Sequence, residues 1–435
     1  MNRDGPGRPR TVGFAGSALV ALGGLGAGAL PVGGPVLPGS GHERLGLVGV
    51  YSGLALLLLA WWWHPRESAP RESWRTLALW AAPMLFAPPL FSRDVYSYLA
   101  QGLMVDAGLD VYRYGPAVLG GFTADQVPAI WQHTPSPYGP AFLLVAEAVA
   151  DSLSSHLLLG VIAMRLVAVA GLVLLAVAIR VLAREAGVSP SAATWLAVLN
   201  PLVLIHLVGG AHNDALMVGL LAAGLAAAVR RHPIVATLLI VVAALVKVPA
   251  ALGLVAVVAI WAAQAQGRWV RVAAAVGAVS AVATVLVTAL AGTGYGWLAA
   301  LDTPISPGNW SLTALLGLWR WSGGLAVLLV AAAVWHFRER LGPVYGLGIV
   351  LVAVVLFGPA LRPWYLVWGL APLAAVAVDR RVRRLLAVLC GGLVLVVLPD
   401  GFAADRERVL LAVTGALLGA AAFLAVRLTT AYAVR

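Results

Sequence analysis

The sequence predicts an all-α polytopic membrane protein, and three observations carry that expectation. Of the 435 residues, 61% are hydrophobic and only 11% charged, with a mean hydropathy of +0.92. Soluble domains sit near half apolar and a quarter charged, so a water-soluble enzyme is excluded. The apolar residues also fall into runs of about 20, the length a helix needs to cross a hydrocarbon core in which every backbone polar group must be satisfied within its own segment. Finally, arginine recurs between alternate runs rather than being spread along the chain.

Taken in order, the runs cover approximately 11–31, 45–63, 76–91, 157–183, 192–208, 214–230, 233–247, 249–266, 272–292, 311–336, 342–360, 364–379, 385–399 and 409–427. This gives about 14 transmembrane helices, with 13 as the other count; those at 76, 233, 364 and 385 are short. The first run follows Arg3, Arg8 and Arg10 and contains Ala27-Gly28-Ala29, as a signal peptide would. Its apolar part is longer than a usual signal core, so a retained helix is expected. The single cysteine, Cys390, lies in an apolar run, which rules out an intramolecular disulfide and a cysteine-based metal site.

The net charge of +11 is resolved by topology. Cytoplasmic loops keep an excess of Lys and Arg. With the N-terminus inside, 20 of 29 cations, from Arg3 to Arg435, fall on the inner face, and both termini are cytoplasmic. Arg44, Arg93, Arg113, Lys247, Arg362, Arg406 and Arg408 fall outside, and Arg165 and Arg320 lie within spans. The acidic residues sort oppositely, 12 of 18 lying outside. The expected location is therefore a plasma membrane, with functional polar residues on the outer face.

Residues 1–435 read as a single integral membrane domain without internal repeats. The one long connection, the external segment 92–156, contains Pro116, Pro128, Pro135, Pro137 and Pro140 among Tyr, Gly and Asp. Connections of this length are usually functional or disordered, and its Tyr, Trp131 and Leu content favours order. Stretches 94–107 and 140–155 have helical spacing and predict interfacial helices anchored by Tyr96, Tyr98 and Trp131. Sixteen tryptophans suit interfacial belts, with Trp61, Trp62, Trp63, Trp74 and Trp269 read that way and Trp310 and Trp364 as candidates for stacking on a sugar.

Four polar constellations stand out against this apolar background. In Ser92-Arg93-Asp94-Val95-Tyr96-Ser97-Tyr98, Asp94 either stabilises the first turn of a helix or supplies a fixed carboxylate for general-base chemistry. Gly108-Leu109-Asp110-Val111-Tyr112-Arg113-Tyr114-Gly115-Pro116 and Ser136-Pro137-Tyr138-Gly139-Pro140 predict tight turns, either without a ligand or presenting Asp110, Tyr112 and Tyr138 to a polar pocket. Gly209-Gly210-Ala211-His212-Asn213-Asp214 offers a helix cap or a polar trio for sugar hydroxyls or phosphate; a metal site is weakly signalled, lacking a second ligand pair. Lys247, the only lysine, sits in Val246-Lys247-Val248-Pro249 at an outer hairpin, and Arg362 in Leu361-Arg362-Pro363-Trp364-Tyr365. Either these cations snorkel to headgroups or they hold a phosphate, which a guanidinium grips bidentately. No phosphate loop, Ser/His/Asp set, HExxH or nucleic-acid-binding pattern occurs.

Together, Ser92-Arg93-Asp94-Val95-Tyr96, the Tyr112–Pro116 and Pro137–Pro140 turns, His212-Asn213-Asp214, Val246-Lys247-Val248-Pro249 and Arg362-Pro363-Trp364-Tyr365 resemble the polyprenyl-phosphomannose-dependent α-1,6-mannosyltransferases. These are actinobacterial membrane enzymes of the GT-C superfamily that build the lipomannan and lipoarabinomannan backbone. The likeness spans roughly residues 76–379. It implies a GT-C fold and inverting transfer of mannose, on the outer face, from a β-linked polyprenyl phosphate to a mannan or lipomannan acceptor. Asp94 would act as general base. Lys247 and Arg362 would neutralise the departing phosphate, and Arg93, Tyr96, Asp110, Tyr112, Tyr138, His212, Asn213, Asp214, Trp364 and Tyr365 would bind substrate. The expected partners are membrane lipid, this donor and this acceptor; no nucleic acid, cofactor or obligatory metal is expected. A GT-C transferase of arabinose or glucose is the alternative within the class, and a lipid-linked sugar flippase or transporter the one outside it.

Overall fold

In the computed structural model, residues 7–32, 40–153, 156–302, 312–401 and 405–432 are described, and every regular element among them is helical. The expectations placed on Arg3, Trp310 and Arg435 fall outside the described residues. Helices α1 (Gly7–Ala27) and α2 (Ser40–Trp63) form an antiparallel hairpin. Their glycines line the contact, and a Cβ on Gly16 would stand 2.7 Å from the Gly53 carbonyl oxygen, so the backbones touch as small residues allow between membrane helices. Helix α3 (Pro70–Leu85) packs on α1, with the Trp80 indole donating to the Arg10 carbonyl at 2.9 Å.

The long connection holds two longer helices, α4 (Asp94–Asp106) and α5 (Pro140–Leu153), packed on each other as the helical spacing predicts, with short helical turns between them. The anchoring role expected of Tyr96 and Tyr98 does not hold, because both are 1% exposed and point into the core. The Tyr96 hydroxyl donates to the Ala29 carbonyl at 2.7 Å, tying α4 to the end of α1. A second correction concerns Trp61, a core residue rather than a belt residue. It stacks on Trp195 at 4.4 Å, and each indole donates to the other residue's carbonyl at 2.9 Å, which satisfies both N–H groups internally.

Beyond the connection run α6 (Leu157–Glu185), α7 (Pro190–Ala197), α8 (Pro201–Gly209), α9 (Asp214–Val229) and α10 (Pro233–Val246). They are followed by α11 (Gly253–Gln264), α12 (Trp269–Ala291), α13 (Arg320–His336), α14 (Pro343–Phe357), α15 (Leu366–Val376), α16 (Arg380–Leu393) and α17 (Arg406–Tyr432). Helix α17 returns to pack on α2. Five described helices are long and apolar enough to cross a membrane unaided, and a sixth results if α7 and α8, bent by 48°, form one span. The bend follows from local sequence, since Asn200 caps Leu202 N–H at 2.9 Å while Pro201 withholds its own, and the chain leaves this turn through a π-helical stretch, Leu204–Gly209.

Several of the remaining apolar helices are short. Helix α9, with 16 residues, extends about 24 Å. Where α9 begins, α10 stops and α15 is entered, irregular backbone takes over: 210–213, Lys247 before Val248-Pro249, and 358–362. Those breaks gather at one end of the bundle, beside the start of α4, and their freed backbone and polar side chains make the site.

One buried arginine holds these pieces together. Arg165 on α6 is fully buried, and its guanidinium donates to the carbonyls of Leu85 (3.1 Å), Pro88 (2.7 Å) and Gly209 (2.9 Å) and to that of Ala87. It thus caps the orphan carbonyls at the ends of α3 and α8 and fixes the 86–93 segment that leads into Asp94. Replacing Arg165 by Leu is expected to cost about 3 kcal/mol by stranding these acceptors. Thermal unfolding in detergent measures it, and a loss below about 1 kcal/mol would contradict the clamp.

Candidate active site

Asp94 is the first residue of α4, and its backbone N–H is taken by the Ser92 hydroxyl at 3.0 Å. Ser92 therefore satisfies the first N–H of the helix, and the Asp94 carboxylate, 25% exposed, projects into the cluster of breaks. Its Oδ2 lies 3.5 Å from Nδ1 of His212, and the same ring nitrogen is 3.5 Å from the Tyr98 hydroxyl. Tyr98 follows Asp94 by four residues and so shares its helix face.

His212 is completely buried and lies flat against Trp364, with ring centroids 4.1 Å apart and planes at 23°. The backbone that presents it is forced, since Ala211 has φ +54°, the left-handed region that an alanine seldom adopts. Burial lowers the His212 pKa against the opposing pull of Asp94 and Asp214, so the ring is neutral near pH 7. A neutral imidazole can then orient the Asp94 carboxylate without neutralising it.

Around this pair, buried polar atoms converge without partners among the described residues. They are Nε2 of His212, both amide atoms of Asn213, Nε1 of Trp364 and both ring nitrogens of His206. Asn213 stands at the cap position of α9 but makes no capping bond through its side chain. Buried polar groups of native proteins nearly always have partners, so a concentration of orphans marks a place where waters or a polar ligand would supply them.

Asp214 and Lys247 form the site's floor. Asp214, fully buried at the start of α9, accepts from the Lys247 ammonium at 3.0 Å on each oxygen and from the Trp368 indole at 2.6 Å. The ammonium also lies 4.4 Å from the Tyr365 ring centroid and 5.3 Å from that of Trp368. Burial alone would disfavour the charge on Lys247, but Asp214 and its neighbours raise the pKa above the ordinary lysine value, so the ion pair is maintained. Lys247 is thereby held in a buried ion pair that ties α9, the 247 break and α15 together. Arg362 is half-buried and, with Lys247, close enough to His212 and Tyr365 to bias both electrostatically.

The structure thus brings together Asp94, Tyr138, His212, Asn213, Asp214, Lys247, Arg362, Trp364 and Tyr365 from segments spread over more than half the chain. Four further expected binding residues make contacts within the scaffold. Arg93 donates to the Leu30 carbonyl at 3.0 Å and lies over the Tyr96 ring, and Tyr96 bonds Ala29. Asp110 is exposed and accepts from Tyr112 N–H at 2.9 Å in its own turn, while the Tyr112 hydroxyl donates to the Tyr138 carbonyl at 3.0 Å, bracing the second turn. Tyr98, expected only as an interfacial anchor, and His206 and Trp368, not singled out from sequence, also lie at the site. The first and last were signalled by helical spacing, four residues after Asp94 and four after Trp364.

Apolar helices of membrane length with buried polar side chains gathered at one end define a membrane protein with a polar reaction or binding site at that end. Residues 10–263 match the family described as alpha-(1→6)-mannopyranosyltransferase, N-terminal domain, and residues 296–427 match the MptB C-terminal domain. Over 440 aligned residues, covering 91% of this chain and 85% of the relative, it is 36% identical to alpha-(1→6)-mannopyranosyltransferase A of Mycobacterium tuberculosis. It is 32% identical to alpha-(1→6)-mannopyranosyltransferase B of Corynebacterium glutamicum over 437 residues, 85% of this chain and 73% of the relative. No solved structure matches. The chain belongs to the alpha-(1→6)-mannopyranosyltransferase family, as the motif resemblance implied.

Proposed function

We propose that the protein transfers mannose from a β-linked polyprenyl phosphate to a mannan or lipomannan hydroxyl at the outer face of a plasma membrane, forming an α-1,6 linkage with inversion. The observation that carries this reading is the ring of unpartnered buried polar atoms beside the outward-facing Asp94 carboxylate. Asp94 takes the proton of the acceptor hydroxyl as its oxygen attacks the anomeric carbon, and the C1–O bond electrons leave with the lipid phosphate. Arg362 stabilises the negative charge that grows on the phosphate, and the Asp214–Lys247 pair keeps Tyr365 and Trp368 in place beneath it. Trp364, with its face on His212 and its indole N–H unpartnered, offers a hydrogen bond to the sugar rather than a free stacking face. Family membership supports mannose over arabinose or glucose. A topology of about fourteen spans with both termini cytoplasmic follows from the arginine distribution and puts the site outside.

Purified protein reconstituted with polyprenyl-phosphate-mannose and a synthetic mannoside is expected to form a covalent product, while the arabinose and glucose donors give little. Label crossing a proteoliposome membrane without covalent transfer would contradict the reading in favour of a flippase. Turnover is also expected to survive EDTA, because Asp214, the second carboxylate near His212, is already occupied by Lys247 and Trp368. A strict requirement for added divalent cation, measured in the same assay, would overturn that expectation.

A further inference from the structure

Phe91, three residues before Asp94, is buried and has φ +63°, in the left-handed region that a bulky aromatic residue rarely adopts. Such a conformation persists only where the surrounding structure holds it, and it tends to occur beside working groups. Here it is held from two sides. On one, the Arg165 clamp fixes the preceding carbonyls and the Leu90 N–H donates to the Gly209 carbonyl at 3.2 Å. On the other, the Phe91 N–H donates at 2.7 Å to the carbonyl of Pro399, from a segment more than 300 residues later. Gly401, at φ +82°, lies against Ser92 so closely that a Cβ there would stand 3.2 Å from the Ser92 Cα. The Ser92 hydroxyl in turn takes the Asp94 N–H. The irregular segment 395–401 is therefore seated on the two residues that lead into the carboxylate.

That segment has no helical hydrogen bonding of its own to keep it there, and side chains from two helices pin it. The Tyr51 hydroxyl of α2 donates to the Val397 carbonyl at 3.1 Å. Arg408, in the first turn of α17, donates through Nη1 to Asp400 at 2.9 Å and through Nη2 to Glu43 of α2 at 2.7 Å. Asp405 lies 3.7 Å from its Nε and accepts from its backbone N–H at 2.8 Å. The planar fork thus fixes the direction of Asp400 as well as its charge. Only the bond to Asp400 reaches the segment beside Phe91; the bond to Glu43 joins α17 to α2.

We propose that Arg408 is a positioning residue for the transfer reaction: through Asp400 it seats segment 395–401 on the strained Phe91–Ser92 turn and so sets where the Asp94 carboxylate stands beside His212. This rests on Asp94 being the base. In the full-length protein, R408Q and D400N are each expected to lower kcat roughly 10- to 100-fold, as a displaced catalytic group does, and the double variant is expected to be no slower than the worse single one. Donor KM is expected to stay within about twofold, since the loss falls on the chemical step. E43Q weakens a bond to the same guanidinium but lies off the path to Asp94, so its kcat is expected to stay near that of the unaltered protein. G401A, which crowds Ser92 without touching the ion pairs, is expected to reproduce the kcat loss. Close backbone contacts at Gly415 and Gly419 still hold α17 on α2 in R408Q, and thermal unfolding in detergent checks that it folds. The decisive variant is R408Q made in the Asp94→Asn background, where it is expected to slow turnover no further. A kcat loss as large in E43Q, or a full additional loss in the Asp94→Asn background, would overturn the proposal by making Arg408 general helix glue. Normal kcat in R408Q beside an impaired Asp94→Asn would overturn it alone, whereas turnover surviving Asp94→Asn would overturn the base assignment and this proposal with it.

Discussion

Asp94→Asn is expected to lower kcat by roughly 10²- to 10⁴-fold with little change in KM for the donor, the span typical of losing a positioned general base. The amide is nearly isosteric and can keep the contact with His212 at 3.5 Å, so geometry is preserved while the proton acceptor is lost. Folding is expected not to depend on the carboxylate, because the first N–H of α4, that of Asp94, is taken by the Ser92 hydroxyl. A Ser92→Ala variant therefore separates the two roles: it is expected to cost about 1 kcal/mol of stability and far less activity than Asp94→Asn. Steady-state kinetics and thermal unfolding of both variants check this. If Asp94→Asn kept most of its turnover and lost stability instead, a purely structural first-turn role would be the right description.

The largest stability effect belongs to the ion pair beneath the site. Asp214→Ala leaves the Lys247 ammonium 13% exposed and without its carboxylate, and the Trp368 indole without its acceptor. Breaking such a pair from one side costs about 3–5 kcal/mol, whereas replacing both partners by apolar residues of similar volume is often neutral. The double variant Asp214→Leu/Lys247→Met is accordingly expected to recover most of the lost stability, giving a coupling energy of more than about 2 kcal/mol in a double-mutant cycle. It is expected to remain impaired in transfer, since Tyr365 and Trp368 lose the charge that orders them. Simple additivity of the two single variants would mean that the pair does not act as a unit.

The helices and most of the site were legible in the sequence because polar residues are so scarce among the apolar runs. Asp94, His212-Asn213-Asp214, Lys247 and Arg362-Pro363-Trp364-Tyr365 stand at breaks in hydropathy, and the structure brings these breaks together. What each residue touches was not legible. Asp214 and Lys247 each lie about one helix length from the turn at Arg231, so the α9–α10 hairpin sets them opposite each other, a register that pairs the ammonium with the carboxylate. From sequence Arg165 is only an arginine within a span, because its carbonyl partners come from segments 77 to 80 residues earlier and 44 later. Asp110 and Arg93 carry the residue types of a binding site but spend them on an Asx turn and on backbone carbonyls, as loop residues often do. Trp61 was read as an interfacial residue because its reciprocal partner, Trp195, is 134 positions away.

The central claim is that a base on the acceptor side drives a single displacement at the anomeric carbon, and the configuration of the product tests it most directly. Nuclear magnetic resonance of the disaccharide linkage made from β-linked polyprenyl-phosphate-mannose should show an α-1,6 mannoside, formed by the unaltered protein and almost absent with Asp94→Asn. A β-linked product would require retention through a covalent intermediate, and with it a different role for Asp94, contradicting the single displacement.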